Sequence, residues 1–108
     1  MTEYEIVREG NRARVGLKEK LTAADVPALQ PALKQLIGDG ILEIVFDLQR
    51  TVSMDSTGIG LLIATSNSLG ALKGSISLMH VSPDIMKLLQ GMRLATRLNA
   101  VSSGAANG

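Results

Sequence analysis

Ile41-Leu42-Glu43-Ile44-Val45-Phe46-Asp47-Leu48 is almost continuously apolar and rich in β-branched residues. A run this short and this rich in such residues suits a central strand covered on both faces. On its amino-terminal side, Val26, Leu29, Leu33, Leu36 and Ile37 recur at three- and four-residue intervals, the period of one buried helical face. Asp25 stands where it can cap that helix, Pro27 is tolerated in its first turn, and Gly38 is expected to close it. Further upstream, Tyr4–Arg8 and Ala13–Leu17 flank Glu9-Gly10-Asn11 and predict a hairpin with a Gly-Asn turn.

On the carboxyl side, the loop 49–54 leads into a second helical pattern carried by Ile59, Leu62, Ile63, Ser66 and Leu69, ending near Lys73-Gly74. Ser75–Met79 alternates as a strand. Ser82-Pro83-Asp84 is a strong helix start, with a hydroxyl cap, a proline at the first helical position and an acid suited to the helix dipole. Ile85, Leu88, Leu89 and Met92 supply its buried face, and 97–101 is read as a short edge strand. The expected order is β-β-α-β-α-β-α-β. Helices that link parallel strands imply an α/β fold: one mixed sheet with helices packed mainly on one side. The domain is expected to occupy 1–101, and 102–108, made of Ser, Gly, Ala and Asn, to be a disordered tail.

Composition narrows the function. At 108 residues the chain holds one small domain. Eleven Lys and Arg against ten Asp and Glu, scattered along the chain, leave no basic footprint for nucleic acid or anionic lipid. Tyr4 and Phe46 are the only aromatics, too few for a base-stacking platform. The absence of cysteine excludes disulfides and thiolate metal sites, and no stretch reads as a signal peptide or a membrane span. The expectation is a cytoplasmic domain without nucleic-acid or membrane partners.

The chemically informative segment is Val52-Ser53-Met54-Asp55-Ser56-Thr57-Gly58-Ile59-Gly60, between the central strand and the second helix. The first helical N–H groups need an acceptor, which Asp55 or Ser56 can supply. Gly58 and Gly60 leave the first turn without side chains, so another molecule could approach its backbone. A plain N-cap with spare hydroxyls explains the same residues. A dinucleotide fingerprint fails, because Ile63 stands where the third glycine belongs, and Leu61–Ala64 contains no Walker lysine. His80 is the only histidine and sits at a strand end, a surface position rather than a base. No metal-ligand spacing exists, no cofactor is implied, and nothing points to an enzyme.

Asp55-Ser56-Thr57-Gly58-Ile59-Gly60-Leu61-Leu62 resembles the Asp-Ser-Ser/Thr-Gly-Leu-Gly motif of STAS-domain anti-sigma factor antagonists. The preceding strand Ile44–Leu48, the later Leu72–Leu78 segment, the Val81-Ser82-Pro83 helix start and Leu94 agree with that family's pattern. The resemblance implies a phosphorylation-controlled switch. Ser56 is then the phosphoacceptor, with Thr57 the competing hydroxyl, and Asp55, Thr57, Gly58, Ile59 and Thr22 join it in the partner surface. The implied partners are an anti-sigma factor that is also a serine kinase, and a metal-dependent serine phosphatase. Where the family carries Gly-Glu-Leu/Ile-Asp before its first helix, this chain has Glu19-Lys20-Leu21-Thr22. A charge reversal at a binding rim alters partner choice more readily than fold. A chemosensory or histidine-kinase pathway therefore stands as an alternative. So does a constitutive scaffold or transporter-associated subunit, and, more remotely, a small ligand at the Gly58-Ile59-Gly60 turn.

Overall fold

A computed structural model describes residues 4–102. The elements are β1 (Tyr4–Glu9), β2 (Arg12–Leu17), β3 (Lys20–Leu21), α1 (Val26–Gly38), β4 (Glu43–Asp47), β5 (Ser53–Met54), α2 (Ser56–Ala71), β6 (Ser75–Val81), α3 (Pro83–Gly91) and β7 (Ala100–Ser102). Gly10 has a positive φ of 61° at the first central position of the β1–β2 turn, the requirement of a tight two-residue hairpin. The main sheet has the order β1-β2-β4-β6-β7, antiparallel only at β1–β2. From β2 onward each crossover steps in the same direction across the sheet. Right-handed crossovers of that kind place α1, α2 and α3 on one face.

Strand alternation sorts the two faces. Ala13, Val15 and Leu17 of β2, Ile44 and Phe46 of β4, and Ile76 and Leu78 of β6 point to the helices and are buried with Leu29, Leu33, Leu36, Leu62, Leu69, Ile85 and Leu89. The opposite face carries Arg12, Arg14, Glu43, Asp47 and Ser77, so β4 is not covered by helices on both sides as its composition suggested. Val45 is nevertheless buried on that face, between its register partners Arg14 and Ser77.

His80 has φ 57° where the β6–β7 register shifts, and this irregularity returns Val81 to the core. The His80 ring nitrogen Nδ1 then meets Asp47 Oδ1 at 3.0 Å.

Several local expectations need correction. Asp25 occupies the cap position of α1 but has helical φ and ψ and makes no side-chain cap bond; its Oδ2 instead accepts the Thr22 N–H and hydroxyl. Gly38 is the last helical residue rather than the stop; Asp39 is the cap, and Gly40, at φ 94°, makes the exit. The edge strand starts at Ala100, because Leu98 turns into the core just before it. Met92 is exposed rather than part of the α3 face. The parallel pair β3–β5 was not foreseen. Ser102 belongs to β7, and the rest of the expected tail lies outside the described residues.

Candidate functional site

The site is built where the small β3–β5 sheet meets the start of α2. Register pairs Lys20 with Ser53 and Leu21 with Met54. The Val52 and Ser53 N–H groups both donate to the Glu19 carbonyl, at 2.8 and 3.2 Å. Thr51, 1% exposed, donates its hydroxyl to the Lys18 carbonyl at 2.7 Å. These bonds stitch segment 18–21 to segment 51–54 and hold the approach to α2 in one geometry.

Asp55 closes that arrangement. Its backbone is extended, its N–H donates to the Leu21 carbonyl at 3.2 Å, and its carbonyl accepts the Ile59 N–H at 3.0 Å. Oδ1 takes the Gly58 N–H at 2.9 Å, so Asp55 is the N-cap of α2. Oδ2 takes the Ala23 N–H at 3.0 Å, from the turn that follows β3. One carboxylate thus ties two loops together. The hydrogen bonds from Gly58 and then Ala23 hold its carboxyl below the usual aspartate range, favouring the charged form.

Ser56 and Thr57 open the helix and are exposed, and neither side chain bonds another described residue. Because Asp55 satisfies the helix terminus, the Ser56 hydroxyl has no capping duty. Thr22 stands half-buried one residue before Ala23, so Thr22, Asp55, Ser56 and Thr57 share one corner of the molecule.

Gly58 and Ile59 lie inward. Both are buried, Ile59 to 3% exposure, and a Cβ on Gly58 would stand 2.2 Å from the Leu21 carbonyl oxygen. The chain's own β3 occupies the space left for an incoming molecule. Gly58 and Ile59 therefore present little surface at this corner. Gly60 is the glycine that faces free space.

His80 and Asp47 lie on the helix-free face of the sheet, away from this corner. Among the described residues no group of three or more His, Asp or Glu could hold a metal ion, and no helix is long and apolar enough to cross a membrane. Sequence reasoning missed Ala23 and Thr51. Ala23 and Thr51 act through a backbone N–H and one loop hydroxyl, which leave no periodic signal. Val52 is 67% exposed, which its apolar character did not announce.

Residues 5–101 match the family model described as "Mlab, STAS domain". No curated protein sequence matches the chain. Among solved structures, the unphosphorylated anti-sigma factor antagonist SpoIIAA is similar at a TM-score of 0.71 and 24% identity, over 81% of each chain. Its phosphorylated form from Bacillus gives 0.74 at 20% identity over 96% of each. A STAS-domain anti-sigma-factor antagonist from Planctomyces limnophilus gives 0.81 at 16% identity, over 99% of this chain and 95% of that one.

Proposed function

The chain belongs to the STAS-domain family, and on that footing we propose that it is a non-enzymatic interaction switch controlled by phosphorylation at Ser56. The single observation that carries this reading is the exposed Ser56 hydroxyl at the start of α2, with the cap supplied by its neighbour Asp55. A phosphate there adds about −1.5 to −2 charge at pH 7. The amino end of a helix favours negative charge, so the fold tolerates the group. A protein surface packed over Ser56 does not, because bulk and unpaired charge would be buried between the two molecules. Switching is then local and requires no refolding.

The solved SpoIIAA structures, one phosphorylated and one not, support carrying this logic over. The partner of the unmodified form is read as an anti-sigma factor with serine kinase activity, and a metal-dependent phosphatase resets the switch. The docking surface consists of Thr22, Asp55, Ser56 and Thr57, with Gly58 and Ile59 as its buried support. A constitutive scaffold in which Ser56 serves only as a helix cap is disfavoured, since that bond belongs to Asp55.

The test is phosphate uptake with a cognate serine kinase, site mapping by mass spectrometry, and partner affinity for wild type, Ser56→Ala and Ser56→Asp. Uptake at Ser56 with weakened binding of the modified form and of Ser56→Asp is expected. Equal affinity across all forms, or uptake at Thr57 alone, overturns the assignment.

A further inference from the structure

We propose that Asp39-Gly40, at the exit of α1, is a latent site of backbone isomerisation. The folded protein holds it as ordinary aspartate through Arg8 and Gln35; released from them, it converts to isoaspartate, a substrate for carboxyl methylation. The site shares no residue with the Ser56 corner and does not depend on the switch reading.

Asp39-Gly40 is the one Asp-Gly pair in the chain. Glycine has no Cβ to screen its nitrogen, so an aspartate before it is open to attack by the following amide. The Gly40 nitrogen adds to Asp39 Cγ and an N–Cγ bond forms. The Cγ–O bond breaks, and the carboxyl's hydroxyl leaves with the amide proton as water. A water then opens the cyclic imide. Entry at Cγ restores aspartate. Entry at the main-chain carbonyl leaves the chain running through Cβ and Cγ and frees the α-carboxylate. The water lost is regained, and nothing is oxidised.

The fold opposes each step. Ring closure needs the Gly40 nitrogen eclipsed with Cβ about the Asp39 Cα–C bond. At ψ 4° it is eclipsed with Asp39's own amide nitrogen instead, so the reacting atoms are not aligned. The Gly40 N–H also donates to the Ile37 carbonyl at 3.1 Å. Oδ1 accepts the Gln35 side-chain amide and Oδ2 the Arg8 guanidinium, each at 2.9 Å. Those bonds, Gln35 first and then Arg8, hold the carboxyl below the usual aspartate range, whereas the neutral acid is the form that sheds hydroxyl. The Arg8 and Asp39 side chains are exposed, at 46% and 36%, so water reaches the pair. Surface bonds of this kind open readily.

Conversion would lengthen the main chain by a carbon between α1 and β4. Just beyond, the Ile41 N–H donates to the Leu36 carbonyl at 3.0 Å and the Leu42 N–H to the Asn11 carbonyl at 2.8 Å. Glu43 then pairs with Arg12. An added atom at Asp39 disturbs that exit, so the product should unfold at lower denaturant than the parent.

The test incubates the full chain and a peptide of residues 35–44 side by side at neutral pH in oxygen-18 water. Electron-transfer mass spectrometry of the tryptic peptide 35–50 locates isoaspartate at Asp39 and separates it from deamidation at Asn107-Gly108. The short peptide should isomerise about tenfold faster or more than the folded chain, since only the opened fraction of the latter reacts. An Arg8→Ala, Gln35→Ala double variant should isomerise about threefold faster or more than wild type, in keeping with the loss of an exposed ion pair and hydrogen bond. The product should carry solvent oxygen and accept a methyl group from S-adenosylmethionine with an isoaspartyl methyltransferase. Both substituted residues are exposed, and thermal unfolding establishes that the variant folds. Either single substitution provides the same comparison with a smaller increase. Equal rates in peptide and folded chain, unchanged rates in the variants, or no isoaspartate at Asp39 in any form overturn the proposal.

Discussion

Gly58 lies against the backbone of Leu21 so closely that a Cβ built on it would stand 2.2 Å from the Leu21 carbonyl oxygen and 2.8 Å from its Cγ. The first turn of α2 and strand β3 are therefore in direct contact. Anything that separates them displaces Thr22 and Lys20 from Ser56.

Gly58→Ala should destabilise the domain by about 1–3 kcal/mol, the range for forcing extra volume into a packed site, because backbone rather than a flexible side chain must give way. Gly60→Ala, two residues on, meets nothing within 4 Å and should stabilise by about 0.4–1 kcal/mol through the unfolded chain. Urea unfolding of the two variants checks both signs. Equal effects would show that the Leu21 contact is not what constrains Gly58.

Asp55→Asn keeps an oxygen to cap Gly58 but loses the second acceptor that holds Ala23. Amide exchange should quicken at Ala23 and stay slow at Gly58. The pH dependence follows from the depressed carboxyl of Asp55. A group whose folded pKa is lowered adds stability above the unfolded carboxylate pKa, and that contribution is lost as pH falls through the folded value. Wild type and variant should therefore converge in stability under acid.

Ser56→Ala should change stability by no more than about 0.5 kcal/mol, as for an exposed side chain without partners. Ser56→Asp should be neutral or stabilising, by about 0.3–1 kcal/mol, since a negative charge suits the first turn. A large loss in either, measured by thermal or urea unfolding, would mean that the hydroxyl is structural.

Thr51→Val keeps the shape of the side chain and removes its bond to the Lys18 carbonyl. A loss of about 0.5–1.5 kcal/mol is expected for the lost part-buried hydrogen bond, with Thr51→Ser largely restoring it. Denaturant midpoints of the three proteins decide the point.

Asp47 provides a second pH signature on the other face. Burial pushes its carboxyl up, but the hydrogen bonds from the His80 ring and the Gln49 N–H, helped by charge on His80 and Arg14, outweigh it and leave the pKa lowered. Its stabilisation should fade as pH falls through that value, and Asp47→Asn should flatten the acid limb of the stability profile. An unchanged limb would show that the pair contributes nothing.

Much of this was readable from local pattern. The three-and-four spacing from Val26 to Ile37 marked α1, and Ser82-Pro83-Asp84 marked α3, where the Ser82 hydroxyl does accept the Ile85 N–H. The Asp55–Gly60 motif marked the start of α2 and placed an exposed hydroxyl there. It did not tell that Gly58 and Ile59 face inward. The same glycine fits an open turn or a crowded one, and only the position of Leu21 distinguishes them.

What the chain determines on its own is the succession of helices and strands, because hydrophobic period, prolines and caps act within a few residues of one another. Tertiary structure decides which of Asp55 and Ser56 caps α2 and which glycine is closed. Those outcomes depend on β3 meeting β5 across more than thirty residues of intervening chain, through two residues on each side that carry no pattern of their own. Two residues on each side supply too few contacts to bring such distant segments together by themselves.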